Sequence, residues 1–132
     1  MGQPAAKQGD QIVATDTHIV LVPSASGSVP TPLPHAFSGI LDGGLSSDVK
    51  IEKKAAATVD STATNTPPHI PTPPGVSFAN PPKNQGKIIM GSTTVKINNK
   101  AAARTGDTAN TCNDPSDLPV GTVVAASTVL IG

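Results

Sequence analysis

The chain has no tryptophan, no tyrosine, two phenylalanines, one cysteine and three histidines in 132 residues. Without Trp and Tyr it lacks the usual stacking surface for sugars. Phe37 and Phe78 lie in Pro-rich stretches and the lysines are scattered, so the basic, aromatic-lined surface of a nucleic-acid binder is missing too. A single cysteine, Cys112, rules out an intramolecular disulfide and suits a reducing compartment. Nine basic residues balance nine acidic ones, so no partner class follows from net charge. No segment approaches the roughly 20 apolar residues of a membrane span. Residues Met1 to Asp10 lack the apolar stretch of a secretory signal. The expectation is a protein made and folded in the cytoplasm, whose export needs another route.

The apolar core is also thin. Val, Ile, Leu and Phe together supply 29 residues, while Pro and Gly supply 26. Burying a Val or Ile contributes about 1.5–3 kcal/mol, against about 1–2 kcal/mol of backbone entropy for each residue ordered. Small chains with weak cores add a staple, and with a disulfide excluded the staple is a metal or a partner.

What is present is a repeat. Val49-Lys50-Ile51-Glu52-Lys53-Lys54-Ala55-Ala56-Ala57 matches Val95-Lys96-Ile97-Asn98-Asn99-Lys100-Ala101-Ala102-Ala103 in its apolar, Lys and Ala positions. A third copy emerges when Ser127-Thr128-Val129-Leu130-Ile131-Gly132 is read on into Gly2-Gln3-Pro4-Ala5-Ala6-Lys7-Gln8-Gly9-Asp10. A repeat shared between the two ends predicts that they meet in space and that the body is a closed, pseudo-three-fold one, not a capped linear array. The Val-x-Ile segments alternate with period two and read as half-buried strands. Gly39 to Asp42 and Lys87 to Met90 are the expected partner strands of two hairpins, and Val120 to Ile131 the third. Ile12-Val13 and Ile19 to Val22 add short strands. Lys53 to Ala57 has helical propensity but falls short of the roughly 12 residues an isolated helix needs. The expected fold class is all-β, one domain over residues 1–132, with short strands and hairpins in three-fold arrangement.

Three excursions, Pro23 to Phe37, Pro67 to Asn84 and Asn110 to Pro119, are dense in Pro, Ser, Asn and Gly and read as stiff, extended loops. All the histidines, His18, His35 and His69, and Cys112 lie in or beside them. His18 stands eight residues after Asp10 and His69 eight after Ser61, its counterpart in the next repeat; Cys112 follows Asp107 of the third by five. Equivalent positions around a three-fold axis converge on the axis, and three imidazoles with a thiolate form a tetrahedral shell suited to zinc. The spacing matches no zinc-finger pattern, and a lone His in such a loop is usually an exposed surface residue. If all four groups bind, the site is closed to water and substrate, hence structural. Asp16 and Asp114 could act as the base of an open metalloenzyme site, but read more simply as turn residues.

Pro4-Ala5-Ala6-Lys7-Gln8-Gly9-Asp10, Lys100-Ala101-Ala102-Ala103-Arg104-Thr105-Gly106-Asp107 and the Val-x-Ile strands before the Ala runs resemble the Pro-Ala-Ala-Arg (PAAR) repeat proteins over essentially the whole chain. No copy spells Pro-Ala-Ala-Arg intact: Lys7 takes the Arg place in the first, Ala101 the Pro place in the third, and Ala55-Ala56-Ala57-Thr58 keeps the small residues alone. The resemblance implies a small β-rich cone at the end of the spike of a type VI secretion or related contractile injection system. Its tip would be held by one structural zinc on His18, His35, His69 and Cys112, and its base would sit on a trimeric spike protein of VgrG type.

In that setting Val49 and Ile51, Val95 and Ile97, and Val129 and Ile131 form a three-fold base that caps the strand ends of a trimeric β-helix. One chain mates with three, the Pro-rich end becomes a hard point for envelope puncture, and no bond is made or broken. The protein would be loaded on the spike in the cytoplasm and carried out by the machine, with any effector a separate cargo. The alternative is a small zinc-binding β-rich adhesin or carbohydrate-binding module, disfavoured by the missing Trp and Tyr.

Overall fold

The computed structural model describes residues 2–132. In chain order the strands are β1 (Gln3–Pro4), β2 (Gln11–Ser24), β3 (Gly27–Gly43), β4 (Lys50–Ile51), β5 (Lys54–Ala55), β6 (Thr62–Asn65), β7 (Ser77–Phe78), β8 (Gln85–Ile88), β9 (Lys96–Ile97), β10 (Lys100–Ala101), β11 (Thr108–Thr111), β12 (Leu118–Val124) and β13 (Leu130–Ile131). No helix occurs among the described residues, and every pairing is antiparallel.

The three repeats build one end of the molecule. Each Val-x-Ile strand turns back on the Lys-Ala of its own repeat: β4 on β5 across Glu52-Lys53, and β9 on β10 across Asn98-Asn99. This corrects the expected pairing with Gly39–Asp42 and Lys87–Met90. All four turn residues have positive φ, between 52° and 71°, the conformation of a two-residue turn whose twist matches the flanking strands. The third repeat is closed by β13 pairing with β1, with Gln3 opposite Ile131 where Lys54 faces Ile51 and Lys100 faces Ile97. The two ends of the chain therefore do meet.

Between the repeats runs a ring of backbone hydrogen bonds. The Ala103 N–H donates to Ala57 O, Ala57 N–H to Ala6 O, and Ala6 N–H to Ala103 O, each at 3.0 Å. Bridges Ala5–Arg104, Lys7–Ala56 and Thr58–Ala102 repeat the same cycle. All six alanines of the ring layer, Ala5, Ala6, Ala56, Ala57, Ala102 and Ala103, are fully buried, and no larger side chain fits where three backbones approach this closely. Below them Ile51, Ile97 and Ile131 pack together around the same axis.

Each repeat leaves the ring by an equivalent tight turn. Backbone N–H groups of Lys7, Thr58 and Arg104 donate to the side chains of Asp10, Ser61 and Asp107 at 3.0, 3.0 and 2.7 Å. The turn residues Gly9, Asp60 and Gly106 have φ of 91°, 78° and 89°. Asp60 alone carries a Cβ in this left-handed region, and its two ion pairs, to Lys87 and Lys100, are exposed and worth little. Asp60→Gly should therefore raise stability by about 0.5–1 kcal/mol, read as an increased denaturation midpoint; an unchanged or lower midpoint would show that the side chain matters more than the backbone strain.

Beyond the turns, β2–β3, β6–β8 and β11–β12 form three equivalent strand pairs, and these close on one another. The order β12-β11-β8-β6-β3-β2 returns to β12 through a β12–β2 pairing, giving a closed barrel of six strands that the sequence did not reveal. Ile12, Leu41, Ile88 and Val123 fill it beside Phe37. Gly39 and Gly86 make room for that ring: a Cβ on Gly39 would lie 2.8 Å from Phe37, and one on Gly86 3.2 Å.

The stretch Pro23 to Phe37, expected as a loop, is mostly strand. It forms the far half of the β2–β3 hairpin, whose register runs unbroken to the turn between Ser24 and Gly27. Pro30, Pro32 and Pro34 have no N–H to give, so Val29, Thr31, Leu33 and His35 make the bonds to β2, and the proline nitrogens face the outer edge. Pro34 O accordingly accepts a bond from Thr72 Oγ1 on that outer side, at 2.7 Å.

Candidate metal centre

Extended backbone advances about 3.3 Å per residue, so eight residues carry β2 from Asp10 at the ring to His18 well up the hairpin. Alternation puts Asp16 and His18 on one face, and register sets His35 of β3 opposite Asp16. His69 arrives from the loop after β6. Asn84 fixes that loop: its Oδ1 accepts the His69 N–H at 2.8 Å and the Asn65 Nδ2 at 3.2 Å, while Asn65 N–H donates to Asn84 O at 2.8 Å. Cys112 follows β11. The next residue, Asn113, ties this loop to β2 by accepting the Thr17 N–H at 2.6 Å.

The three histidines cluster, with ring centroids 4.9–5.5 Å apart, but their nitrogens do different things. His18 Nε2 lies 3.7 Å from Cys112 Sγ, and His69 Nε2 lies 2.9 Å from Asp16 Oδ2, itself 3.5 Å from Cys112 Sγ. One donor atom from each of Asp16, His18, His69 and Cys112 falls within 4.8 Å of the others. His35 stands beside this group with its nitrogens engaged elsewhere: Nδ1 donates to Leu33 O at 2.9 Å and Nε2 accepts the Thr72 N–H at 3.1 Å. Three of the four expected ligands thus converge, with Asp16 among them. Asp16 is not a turn residue but a completely buried member of β2, and its place two positions before His18 on an alternating strand was the signal available in the sequence.

The group fits a borderline-soft dication. Metal–nitrogen distances of about 2.0–2.1 Å and metal–sulfur of about 2.3 Å place tetrahedral ligands about 3.3–3.6 Å apart, and the observed separations of 2.9, 3.5 and 3.7 Å bracket that spacing. His18 Nδ1 is a buried nitrogen without a hydrogen-bond partner. Asp114 Oδ2 lies 3.6 Å away, on a carboxylate already holding the Ile19 N–H at 2.8 Å. A proton on Nδ1 turned towards Asp114 leaves the Nε2 lone pair facing the centre, the arrangement by which outer carboxylates orient metal-binding histidines. Burial pushes the Cys112 thiol up to about 11, with the Asp16 charge adding to it. It also holds His18 and His35 below the ordinary histidine value, the neighbouring His69 contributing for both. Neutral imidazoles are ready to bind, while the thiol gives up its proton only when a cation takes its place. A cleft lined by Pro82, Lys83, Asn113, Asp114 and Pro115 reaches His18 and Cys112, giving an ion a way in.

A family model described as the PAAR motif matches residues 25–114. The chain belongs to the PAAR-motif family. No curated protein matches it. PAAR proteins are structural pieces of secreted injection machinery, related to the spike tips of type VI and other contractile systems and associated with spikes of VgrG type. The matched span includes β4–β5, β9–β10, His35, His69 and Cys112, and begins after Asp16 and His18.

Proposed function

We propose that this chain is the single-domain terminal piece of an injector's spike, capping a trimeric β-helical spike protein with its ring end and stapling its other end with one structural zinc. The observation that carries this reading is the closed cycle of hydrogen bonds Ala103→Ala57→Ala6→Ala103, which gives a lone polypeptide a three-fold face. A trimer ends in three equivalent strand edges, and a single chain satisfies all three only if its own surface repeats at 120°.

The six base residues divide into two roles. Ile51, Ile97 and Ile131 are 5, 8 and 6% exposed and hold the base together, whereas Val49, Val95 and Val129, at 37, 36 and 42%, are available to a partner. Zinc on His18, His69, Cys112 and a fourth group would tie β2, the His69 loop and the Cys112 loop into one rigid point. The chain would be loaded on its spike in the cytoplasm, leave with it towards a target envelope, and carry any effector as separate cargo.

Val95→Asp tests the docking face. The expected result is loss of co-purification with a trimeric VgrG-type spike, with folding and zinc content unchanged. Binding undiminished by Val95→Asp and by the double variant Val49→Asp, Val95→Asp would move the docking surface elsewhere. Ile97→Asp, in contrast, should destabilise the base itself, because it buries a charge with no partner.

A further inference from the structure

We propose that the fourth ligand of the ion is the Asp16 carboxylate and not the His35 imidazole, an inference that rests on the metal-stapled reading above. The resulting shell is two imidazoles, one thiolate and one carboxylate.

The ground for this is where the lone pairs point. Asp16 Oδ1 accepts the hydroxyl of Thr111 from neighbouring β11, leaving Oδ2 directed at His69 Nε2 and Cys112 Sγ. His35 has no free lone pair to offer. Its Nδ1 must be the donor, since Leu33 O can only accept, so the Nε2 lone pair is the one taken by the Thr72 N–H. Swinging Nε2 to the ion would strand that N–H on a residue also anchored through its hydroxyl to Pro34 O. His35 therefore reads as a post for the His69 loop, holding Thr72 in place three residues beyond His69.

Charge places a cation beside Asp16. Asp16 is completely buried, and the groups facing it are Thr111, His69 and Cys112, with no Lys or Arg partner. A buried carboxylate needs compensating charge. A dication bound by thiolate, carboxylate and two neutral imidazoles has no net charge. Three imidazoles and a thiolate would leave one positive charge on the centre, which Asp16 would balance from outside it, so charge calls for a cation beside Asp16 and the lone pairs decide which group ligates it.

The protons balance in the same way. In the metal-free site the His69 Nε2–H and the Cys112 S–H both face Asp16 Oδ2. The incoming ion takes their place: the thiol proton leaves to solvent, and the His69 proton passes through solvent from Nε2 to Nδ1, so that one proton is released in all.

X-ray absorption at the zinc edge of the loaded wild-type chain decides the matter. One sulfur, one oxygen and two imidazoles are expected; a shell with three imidazoles overturns the proposal while leaving the metal staple standing. A wild-type chain that takes up no metal overturns both. Zinc affinity gives an independent reading by competition with a chromogenic chelator. His35→Gln should cost no more than the about 10–100-fold typical of outer contacts, and the near-isosteric Asp16→Asn should cost more than that. The reverse order would restore His35 to the shell. Should either variant fail to fold, the wild-type absorption spectrum still decides.

Discussion

Stripped of its ion by a chelator, the wild-type chain is expected to melt about 10–20 °C below the zinc-loaded protein. A ligand that binds only the folded state at about a thousand times its Kd adds about 4 kcal/mol, and in a domain of this size each kcal/mol moves Tm by about 3–5 °C. The effect is large because the ion would join loops that are tied down by side-chain hydrogen bonds of Asn65, Thr72, Asn84 and Asn113. Cys112→Ala should melt near the stripped temperature with or without zinc. Equal melting temperatures for loaded and stripped wild type would remove the staple. The acid and alkaline limits of the metal-free chain also follow. Burial depresses His18 and His35 below 6.5, so their contribution is present above about pH 6.5 and lost as pH falls through the lowered values. Cys112 is raised from 9.0 to about 11, so its contribution is present below pH 9.0 and lost as pH rises towards about 11. Stability of the stripped protein should be level between those windows. Zinc affinity should instead climb with pH across the same range, since loading expels a proton from the thiol.

Ala57→Leu is the second large effect. The added side chain enters a layer where three backbones lie in contact, so overpacking of about 1–3 kcal/mol adds to the loss of as many as three ring hydrogen bonds at about 0.5–1.5 kcal/mol each. With all three bonds lost the total is about 2.5–7.5 kcal/mol, which would leave little or no folded protein. Pseudo-symmetry sharpens the test: Ala6→Leu and Ala103→Leu should cost about the same, whereas Ala55→Leu, at a half-buried position outside the ring, should cost much less. Urea denaturation of the soluble variants reads this directly. Three widely different costs for the ring positions would mean that the cycle does not act as a unit.

How much of this was written in the sequence varies from residue to residue. The ring was legible because its cause is local and repeated: the same Ala pair follows the same Val-x-Ile strand, and the third copy is recovered by joining the ends. Convergence of His18, His69 and Cys112 followed from equivalence under that repeat. The barrel was not legible, since the β12–β2 pairing joins residues about 110 apart in the chain and leaves no local mark. The small hairpins are hard to read because Glu52-Lys53 does not resemble a turn; only Asn98-Asn99 in the sister copy advertises the left-handed backbone both adopt. Asp16 reads as a turn residue because short polar residues suggest turns, yet it lies within β2. Its strand neighbours Ile12, Val20 and Leu21 were the better guide.

Pro30, Pro32 and Pro34 suggest a loop because proline is rare in strands, yet edge strands are where it is tolerated. Their alternation has a consequence for how such a chain survives in a crowded cell. A 17-residue strand with one side unpaired along much of its length is a template on which a second copy could grow, and repeated addition would make a fibre. A proline at every other place along that border removes the donors a newcomer would need. The hairpin can therefore be long and stiff while molecules of this protein, stored side by side, do not zip into one another.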